Sequence, residues 1–134
     1  METIQQALII NEKEQFLILQ DSKKLWRLPL DELREDENFE DSLKEAIKSE
    51  CGIDVDIMYQ FFTSIVKVNG KEKFNVAYLC RPKSKAIKIS KDFVAYKWAK
   101  PSDMKKLKLA TQQVLEMAEK ANILINGGGQ IEGE

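Results

Sequence analysis

Carboxylate side chains are concentrated between Asp31 and Glu50, and their spacing suggests divalent-cation chemistry. Glu50 follows Ala46 by four residues and Ile47 by three, which places it at the edge of an apolar helical stripe. A carboxylate at that edge must be paired, bound to a metal or turned to solvent. One interpretation is a magnesium site built from oxygen ligands. The other is a solvated acidic surface in which Glu50 pairs with a lysine.

The sequence contains no histidine, and this excludes several kinds of active site. Neither a Ser-His-Asp or Cys-His catalytic arrangement nor a histidine-containing zinc site can form. Acid–base catalysis would fall to carboxylates, lysine, tyrosine or cysteine. Cys51 and Cys80 are not a close-spaced metal pair, and we expect two reduced, buried thiols.

The composition is that of one domain with an apolar core, because 43% of the 134 residues are hydrophobic and 32% are charged. The net charge of -1 exerts no global attraction on nucleic acid or an anionic membrane. The first residues lack a signal-peptide pattern, and apolar runs such as residues 7–10 are too short to span a bilayer. We therefore expect a cytoplasmic protein with no membrane partner, and nucleic acid is not a favoured partner.

The apolar pattern predicts short strands mixed with two or three helices, all in one domain over residues 1–125. Runs at 7–10 and 16–19 predict a hairpin, and further strands are predicted at 25–28, 54–68, 74–80, 86–89 and 94–98. Asn69-Gly70 predicts a tight hairpin turn, because both residues tolerate positive φ. This order of elements predicts the α/β (α+β) class, with a mixed sheet covered on both faces.

The helix that carries Glu50 has clear start and stop signals. Asn38 is the expected N-cap and Gly52 the expected C-terminal glycine, after an acidic loop at 31–37. The expected buried stripe is Phe39, Leu43, Ala46 and Ile47. Pro101 opens a helical turn, Thr111 caps a final helix whose stripe ends near Leu124, and residues 126–134 predict a flexible glycine-rich tail.

Residues 31–53 also resemble the signature of the Nudix hydrolase superfamily (MutT-like), which is G-x5-E-x7-R-E-U-x-E-E-x-G-U with U aliphatic. Aligned without a gap, the chain matches this pattern at Glu37, Ile47, Glu50, Gly52 and Ile53. Leu25–Pro29 lies before the signature and Asp92–Trp98 lies after it, and both resemble segments found at those places in the family. The resemblance implies an α/β/α sandwich with a central mixed sheet.

The signature is degenerate at the positions that gather metal in the family. Asp31 replaces the first glycine, and the Arg-Glu pair and a later glutamate are replaced by Glu45, Ala46 and Ser49. Mg²⁺ or Mn²⁺ is the implied cofactor, and the loss of these carboxylates should weaken its binding. By resemblance, the remaining candidate metal ligands are Glu37, Glu50 and Asp92, with Glu50 as the candidate catalytic residue.

Aromatic and basic residues supply candidate contacts for an anionic, nucleotide-like ligand. Trp26, Trp98 and Tyr96 are able to stack on a base, although tryptophans at strand ends are more often core anchors. Arg27 and Arg81 are able to grip a phosphate with two hydrogen bonds, although solvation is the commoner role. Lysines make the second half of the chain basic, including Lys83 and Lys85.

Three functions remain open on the sequence. The resemblance implies a pyrophosphohydrolase of nucleoside diphosphates linked to another moiety, and a site rearranged around Glu37, Glu45, Glu50 and Asp92 would preserve that activity. The missing ligands at Ala46 and Ser49 favour weakened or lost hydrolysis with nucleotide or ligand binding retained. A non-catalytic protein-interaction domain is the third function, and the sequence leaves homodimer formation open.

Overall fold

Seven strands form two separate sheets in the computed structural model, which describes the backbone of residues 1–132 and the side chains of residues 1–126. The strands are β1 (Thr3–Ile9), β2 (Phe16–Asp21), β3 (Trp26–Arg27), β4 (Leu30–Leu33), β5 (Val55–Val68), β6 (Lys71–Pro82) and β7 (Phe93–Ala99). The helices are α1 (Phe39–Cys51), α2 (Pro101–Met104) and α3 (Gln113–Glu132). No helix in this described part is long and apolar enough to cross a bilayer.

The four-stranded sheet is mixed, in the order β4-β1-β6-β5. Within it β1 runs parallel to β6 and antiparallel to β4, and β5 pairs antiparallel with β6. The other sheet is antiparallel, in the order β3-β2-β7. The predicted α+β class with a central mixed sheet is therefore confirmed.

The predicted hairpin between residues 7–10 and 16–19 is wrong. Both edges of β1 are occupied, by β4 and β6, so β2 has no free edge on which to pair. In the described chain the one β-bridge between these two segments joins Ile10 and Phe16. Asn11 turns the chain there by accepting hydrogen bonds from the backbone of Lys13 and Gln15, after which β2 enters the second sheet.

Alternate residues of β1 point into two apolar clusters, one on each face of the mixed sheet. Ala7 and Ile9 belong to the cluster that includes residues of α1, whereas Leu8 belongs to the cluster that includes residues of α3. Each fully buried aliphatic side chain contributes about 1.5–3 kcal/mol to folding. β1 is therefore an interior strand of a layered α/β/α arrangement.

The two ends of α1 are placed as predicted. The side chain of Asn38 accepts hydrogen bonds from the backbone N–H groups of Glu40 and Asp41. Gly52 ends the helix with φ of 73°, in the left-handed region. The buried face differs from the predicted stripe, because Phe39 is 42% exposed. The fully or nearly fully buried residues of α1 are Ser42, Leu43, Ile47 and Cys51.

Three predicted boundaries also need correction. Residues 31–33 do not form a loop. They belong to β4, because they pair with the edge of β1 that β6 leaves free. Residues 86–89 form no strand; Lys88 and Ser90 instead donate their backbone N–H groups to the end of α1. α3 continues to Glu132 rather than ending near Leu124. Residues 133 and 134 lie outside the described residues, and the flexible tail at 126–134 stays a prediction.

Candidate functional site

Glu50 lies in the last turn of α1, and both oxygens of its carboxylate accept hydrogen bonds. Oε2 accepts from Nη2 of Arg27 at 2.9 Å, and Oε1 accepts from the backbone N–H of Leu30 at 3.0 Å. The side chains of Arg27 and Glu50 are 24% and 18% exposed, so the ion pair is largely shielded from water. Glu50 is thus paired, but with an arginine from β3 rather than with a lysine.

Arg27 makes further contacts that fix its orientation. Its Nη1 donates to the carbonyl of Leu28 at 2.8 Å, and its guanidinium lies 4.7 Å from the centre of the Phe93 ring. The predicted phosphate-gripping side chain is therefore occupied by contacts within the protein. A phosphate that binds Arg27 would have to use its remaining N–H groups or compete with Glu50.

Trp26 is placed in the core rather than on an open surface. It is 8% exposed and belongs to the apolar cluster beneath α3. Its backbone N–H donates to Lys108, and its carbonyl accepts from Ala110. Little of the indole is therefore available for the predicted contact with a substrate.

Asp31 connects β4 to β1 and to the start of α1. Its Oδ2 accepts from Nε2 of Gln5 at 2.8 Å and from Oγ of Ser42 at 2.7 Å. Nε2 of Gln5 also donates to the carbonyl of Phe39 at 3.0 Å. This cluster was missed in the sequence, although a serine inside a helix and a glutamine inside an apolar strand are signals for buried hydrogen bonding.

Glu37 belongs to the opposite end of α1 from Glu50. Its Oε1 accepts from the backbone of Arg34 at 3.1 Å and from Oγ of Ser42 at 3.5 Å. Ser42 and Glu50 are eight residues apart in α1, which corresponds to about 12 Å along the helix axis. Ligands of one Mg²⁺ lie about 2.1 Å from the ion, so Glu37 and Glu50 do not share one.

Asp92 is exposed, and the chain around it meets α1 through backbone groups. The N–H of Ser90 donates to the carbonyl of Glu50 at 3.1 Å, and that of Lys88 to the carbonyl of Cys51 at 2.8 Å. The N–H of Asp92 itself donates to Oγ of Ser90 at 3.3 Å. These backbone hydrogen bonds anchor the segment beside Glu50.

The side chains of this region do not fit a divalent cation. Within residues 1–126, no three aspartate, glutamate or cysteine side chains are grouped closely enough to hold a metal ion. Ala46 has no ligand atom, Ser49 and Glu45 are exposed, and Glu50 is engaged by Arg27. Neither the predicted trio of Glu37, Glu50 and Asp92 nor the rearranged set that adds Glu45 is grouped around one point in the described residues, and their roles as ligands stay predictions.

Cys51 of α1 and Cys80 of β6 are two buried thiols. Burial, and to a lesser extent the charge of Glu50, raise the pKa of Cys51 from 9.0 to about 12, against an opposing effect of the charge of Arg27. Burial likewise raises the pKa of Cys80 to about 12. Both cysteines are free and buried, as predicted. Neither forms the thiolate that a nucleophile requires at neutral pH.

A second set of buried polar side chains lies on the α3 face of the sheet. Nε2 of Gln6 donates to Oδ1 of Asn75 at 2.9 Å, and Nδ2 of Asn75 donates to Oγ of Ser64 at 3.2 Å. Oγ of Ser64 donates in turn to Gln113 at 2.7 Å. The hydrogen-bonded chain joins β1, β6, β5 and α3, and it fixes how α3 packs on the sheet.

Comparison with solved structures places this architecture among known folds. An Ap4A hydrolase from C. elegans aligns over 95% of this chain and 99% of its own, with a TM-score of 0.80 and 18% identity. A MutT protein from Methanosarcina mazei Go1 aligns over 90% and 94%, with a TM-score of 0.73 and 21% identity. The NUDIX domain of Shewanella oneidensis NrtR, complexed with ADP ribose, aligns over 92% and 88%, with a TM-score of 0.73 and 18% identity.

These likenesses establish the fold and nothing finer, because the sequence identities are low. No protein-family model matches the chain, and no curated protein matches it. The chain has the fold of the Nudix hydrolases over nearly its whole length, as the resemblance of residues 31–53 implied.

Proposed function

We propose that this Nudix-fold protein binds a nucleotide-like ligand and that its metal-dependent hydrolysis is weakened or lost. The observation that carries the proposal is the engagement of Glu50 by Arg27 and the Leu30 backbone. Each oxygen of this carboxylate already accepts one hydrogen bond, so a cation at Glu50 would compete with a shielded ion pair. Ala46 and Ser49 supply no carboxylate to offset that loss.

The ligand class is suggested by the structural neighbours. One of them is an Ap4A hydrolase, and another was solved with ADP ribose. Both compounds join a nucleoside to a further group through phosphates. We therefore propose that this chain also binds a nucleoside joined to another group through phosphates. The support for this ligand class is an analogy between proteins that share a fold.

Hydrolysis is tested directly with Ap4A and ADP-ribose as substrates, in the presence of Mg²⁺ or Mn²⁺. We expect the wild type to release no more phosphate-containing product than its Glu50→Gln variant, because Glu50 is not free to bind metal. Metal-dependent turnover at about 1 s⁻¹ or faster, abolished by Glu50→Gln, would refute the proposed loss and favour the rearranged active site.

If the wild type shows no turnover, a variant in which the Nudix signature is restored tests whether the missing carboxylates are the reason. The triple change Glu45→Arg, Ala46→Glu and Ser49→Glu rebuilds the Nudix pattern on the exposed and half-buried positions of α1. We expect this variant to gain metal-dependent turnover that the wild type lacks. A restored variant that is folded by circular dichroism but still inactive would show that the missing carboxylates are not what limits hydrolysis.

Ligand binding separates the proposed function from a pure interaction domain. Thermal unfolding is measured with ADP-ribose or Ap4A, each with and without Mg²⁺. A ligand present at 100 times its Kd stabilises the fold by about 2.7 kcal/mol, which is a readily measured shift in Tm. No shift with any nucleotide would contradict ligand binding and favour the protein-interaction domain.

A further inference from the structure

A cleft of about 620 Å³ lies at the carboxyl end of β1, away from the Glu50 ion pair. Its walls are the turn at residues 10–15, the segment at residues 81–85 and Trp98 of β7. The volume is within the range of small-molecule sites, which is about 300–1,000 Å³. It is larger than the other described cavity, of about 290 Å³, beside Met104.

The cleft is separate from the face that carries the Nudix-like residues. Leu30, which binds Glu50, pairs with Gln6 of β1, whereas the cleft begins at Ile10. Four residues of extended chain correspond to about 13 Å along the strand. None of the residues that line the cleft contacts Glu50 through a described hydrogen bond or ion pair. A ligand in this cleft would therefore be held by a different set of side chains.

Basic side chains dominate the rim of the cleft. Its charged residues are Lys13, Arg81, Lys83, Lys85 and Glu12, so four positive charges face one negative charge. Lys83 is partly neutralised, since its Nζ lies 3.4 Å from Asp56. Arg81 and Lys85 are exposed and form no ion pair with any side chain in residues 1–126. The rim therefore carries an excess of positive charge, and an exposed arginine such as Arg81 is suited to paired hydrogen bonds with a phosphate.

The floor of the cleft is apolar. Trp98 is half-buried, Ile10 is 1% exposed and Pro82 is half-buried. An indole beside a cationic rim is suited to a planar ring that carries a phosphate group, because the ring stacks while the phosphate meets the cations. A bare anion would use the rim and leave the floor uncovered.

We propose that this cleft binds a mononucleotide, with its base on Trp98 and its phosphates at Arg81 and Lys85. This second site does not depend on hydrolysis at Glu50. It also gives a role to Arg81, Lys83 and Lys85 from the basic second half of the chain.

The test is isothermal titration of the folded wild-type protein with ADP and, separately, with inorganic pyrophosphate. The variant Arg81→Ala/Lys85→Ala is compared with Lys67→Ala/Lys106→Ala, which removes the same charge from exposed positions outside the cleft. We expect the first pair to raise the Kd for ADP by about tenfold or more, and the control pair to change it less than about threefold.

The role of the ring is tested by Trp98→Leu, which keeps an apolar floor but removes the aromatic face. We expect weaker binding of ADP and unchanged binding of pyrophosphate. The proposal is overturned if ADP does not bind, if both charge variants weaken it equally, or if pyrophosphate binds as tightly as ADP. It is also overturned if Arg27→Ala, and not Arg81→Ala/Lys85→Ala, removes binding, because the ligand would then occupy the Glu50 face.

Discussion

Removal of either Arg27 or Glu50 alone would leave the other as a shielded, unpaired charge. Their side chains are less than one quarter exposed, so an unpaired charge there retains little solvation. The pair also joins β3 to α1 across 23 residues of sequence. Its primary effect in this fold is thus to hold the helix against the segment before β4.

Truncation of Arg27 tests that interpretation. We expect Arg27→Ala to lower the free energy of unfolding by about 1–3 kcal/mol, because Glu50 keeps its charge and loses its counterion. The measurement is urea unfolding of the wild type, Arg27→Ala, Glu50→Ala and the double variant.

The double-mutant cycle supplies the control. A coupling free energy of about 1 kcal/mol or more is expected for a shielded pair, whereas exposed pairs give about 0.2–1 kcal/mol. Additive effects of the two single variants would show that Arg27 and Glu50 are not coupled in solution.

At the scale of elements, the end of α1 depends on Gly52 for two separate reasons. Its φ of 73° is one that residues with a Cβ rarely adopt. A Cβ added there would also lie 2.9 Å from Cβ and from the carbonyl oxygen of Lys88. The glycine therefore lets residues 88–90 pack directly on the helix terminus.

Gly70 provides a matched control, because it has φ of 81° but no heavy atom within 4 Å of an added Cβ. We expect Gly70→Ala to cost about 1 kcal/mol of stability through its backbone conformation alone. Gly52→Ala should cost about 1–3 kcal/mol more, because the contact with Lys88 must also be relieved. The measurement is chemical unfolding, and equal losses for the two variants would contradict the role given to the Lys88 contact.

Elements marked by local chemistry were predictable from the sequence, whereas pairings between distant segments were not. Asn38 and Gly52 mark the ends of α1 by their own backbone preferences, and Asn69-Gly70 marks its turn in the same way. The false hairpin arose because two adjacent apolar runs do not reveal that β4 and β6 flank β1. The partner of Glu50 was hidden for the same reason, since Arg27 reaches it only through tertiary packing.

At the scale of the whole molecule, the buried thiols make stability depend on pH. Cys51 and Cys80 remain protonated in the folded state up to about pH 12, whereas exposed thiols in the unfolded chain ionise near 9.0. The unfolded state therefore binds fewer protons than the folded state above pH 9. This contribution to stability is complete below pH 9 and is lost as the pH rises towards 12.

We expect the free energy of unfolding to fall above pH 9, by up to about 1.4 kcal/mol per pH unit for each thiol. Urea unfolding between pH 8 and pH 10.5 measures the slope. The variant Cys51→Ala/Cys80→Ala serves as the control. Its cavities lower the stability at every pH, and the absence of both thiols removes their part of the slope. Identical slopes in the two proteins would contradict the assigned pKa values.

The parallel pairing of β1 with β6 has a consequence for how the chain reaches its native state. Thr3 pairs with Phe74 and Ile9 with Cys80, so the contacting residues are about 70 positions apart. Pairing over such a sequence separation raises the contact order of the domain and so slows its folding. On the ribosome, β1 leaves the exit tunnel long before β6 exists, and its apolar edge must then wait for its partner. The edge of β1 that pairs with β6 therefore stays without its partner until residues 71–82 have been synthesised.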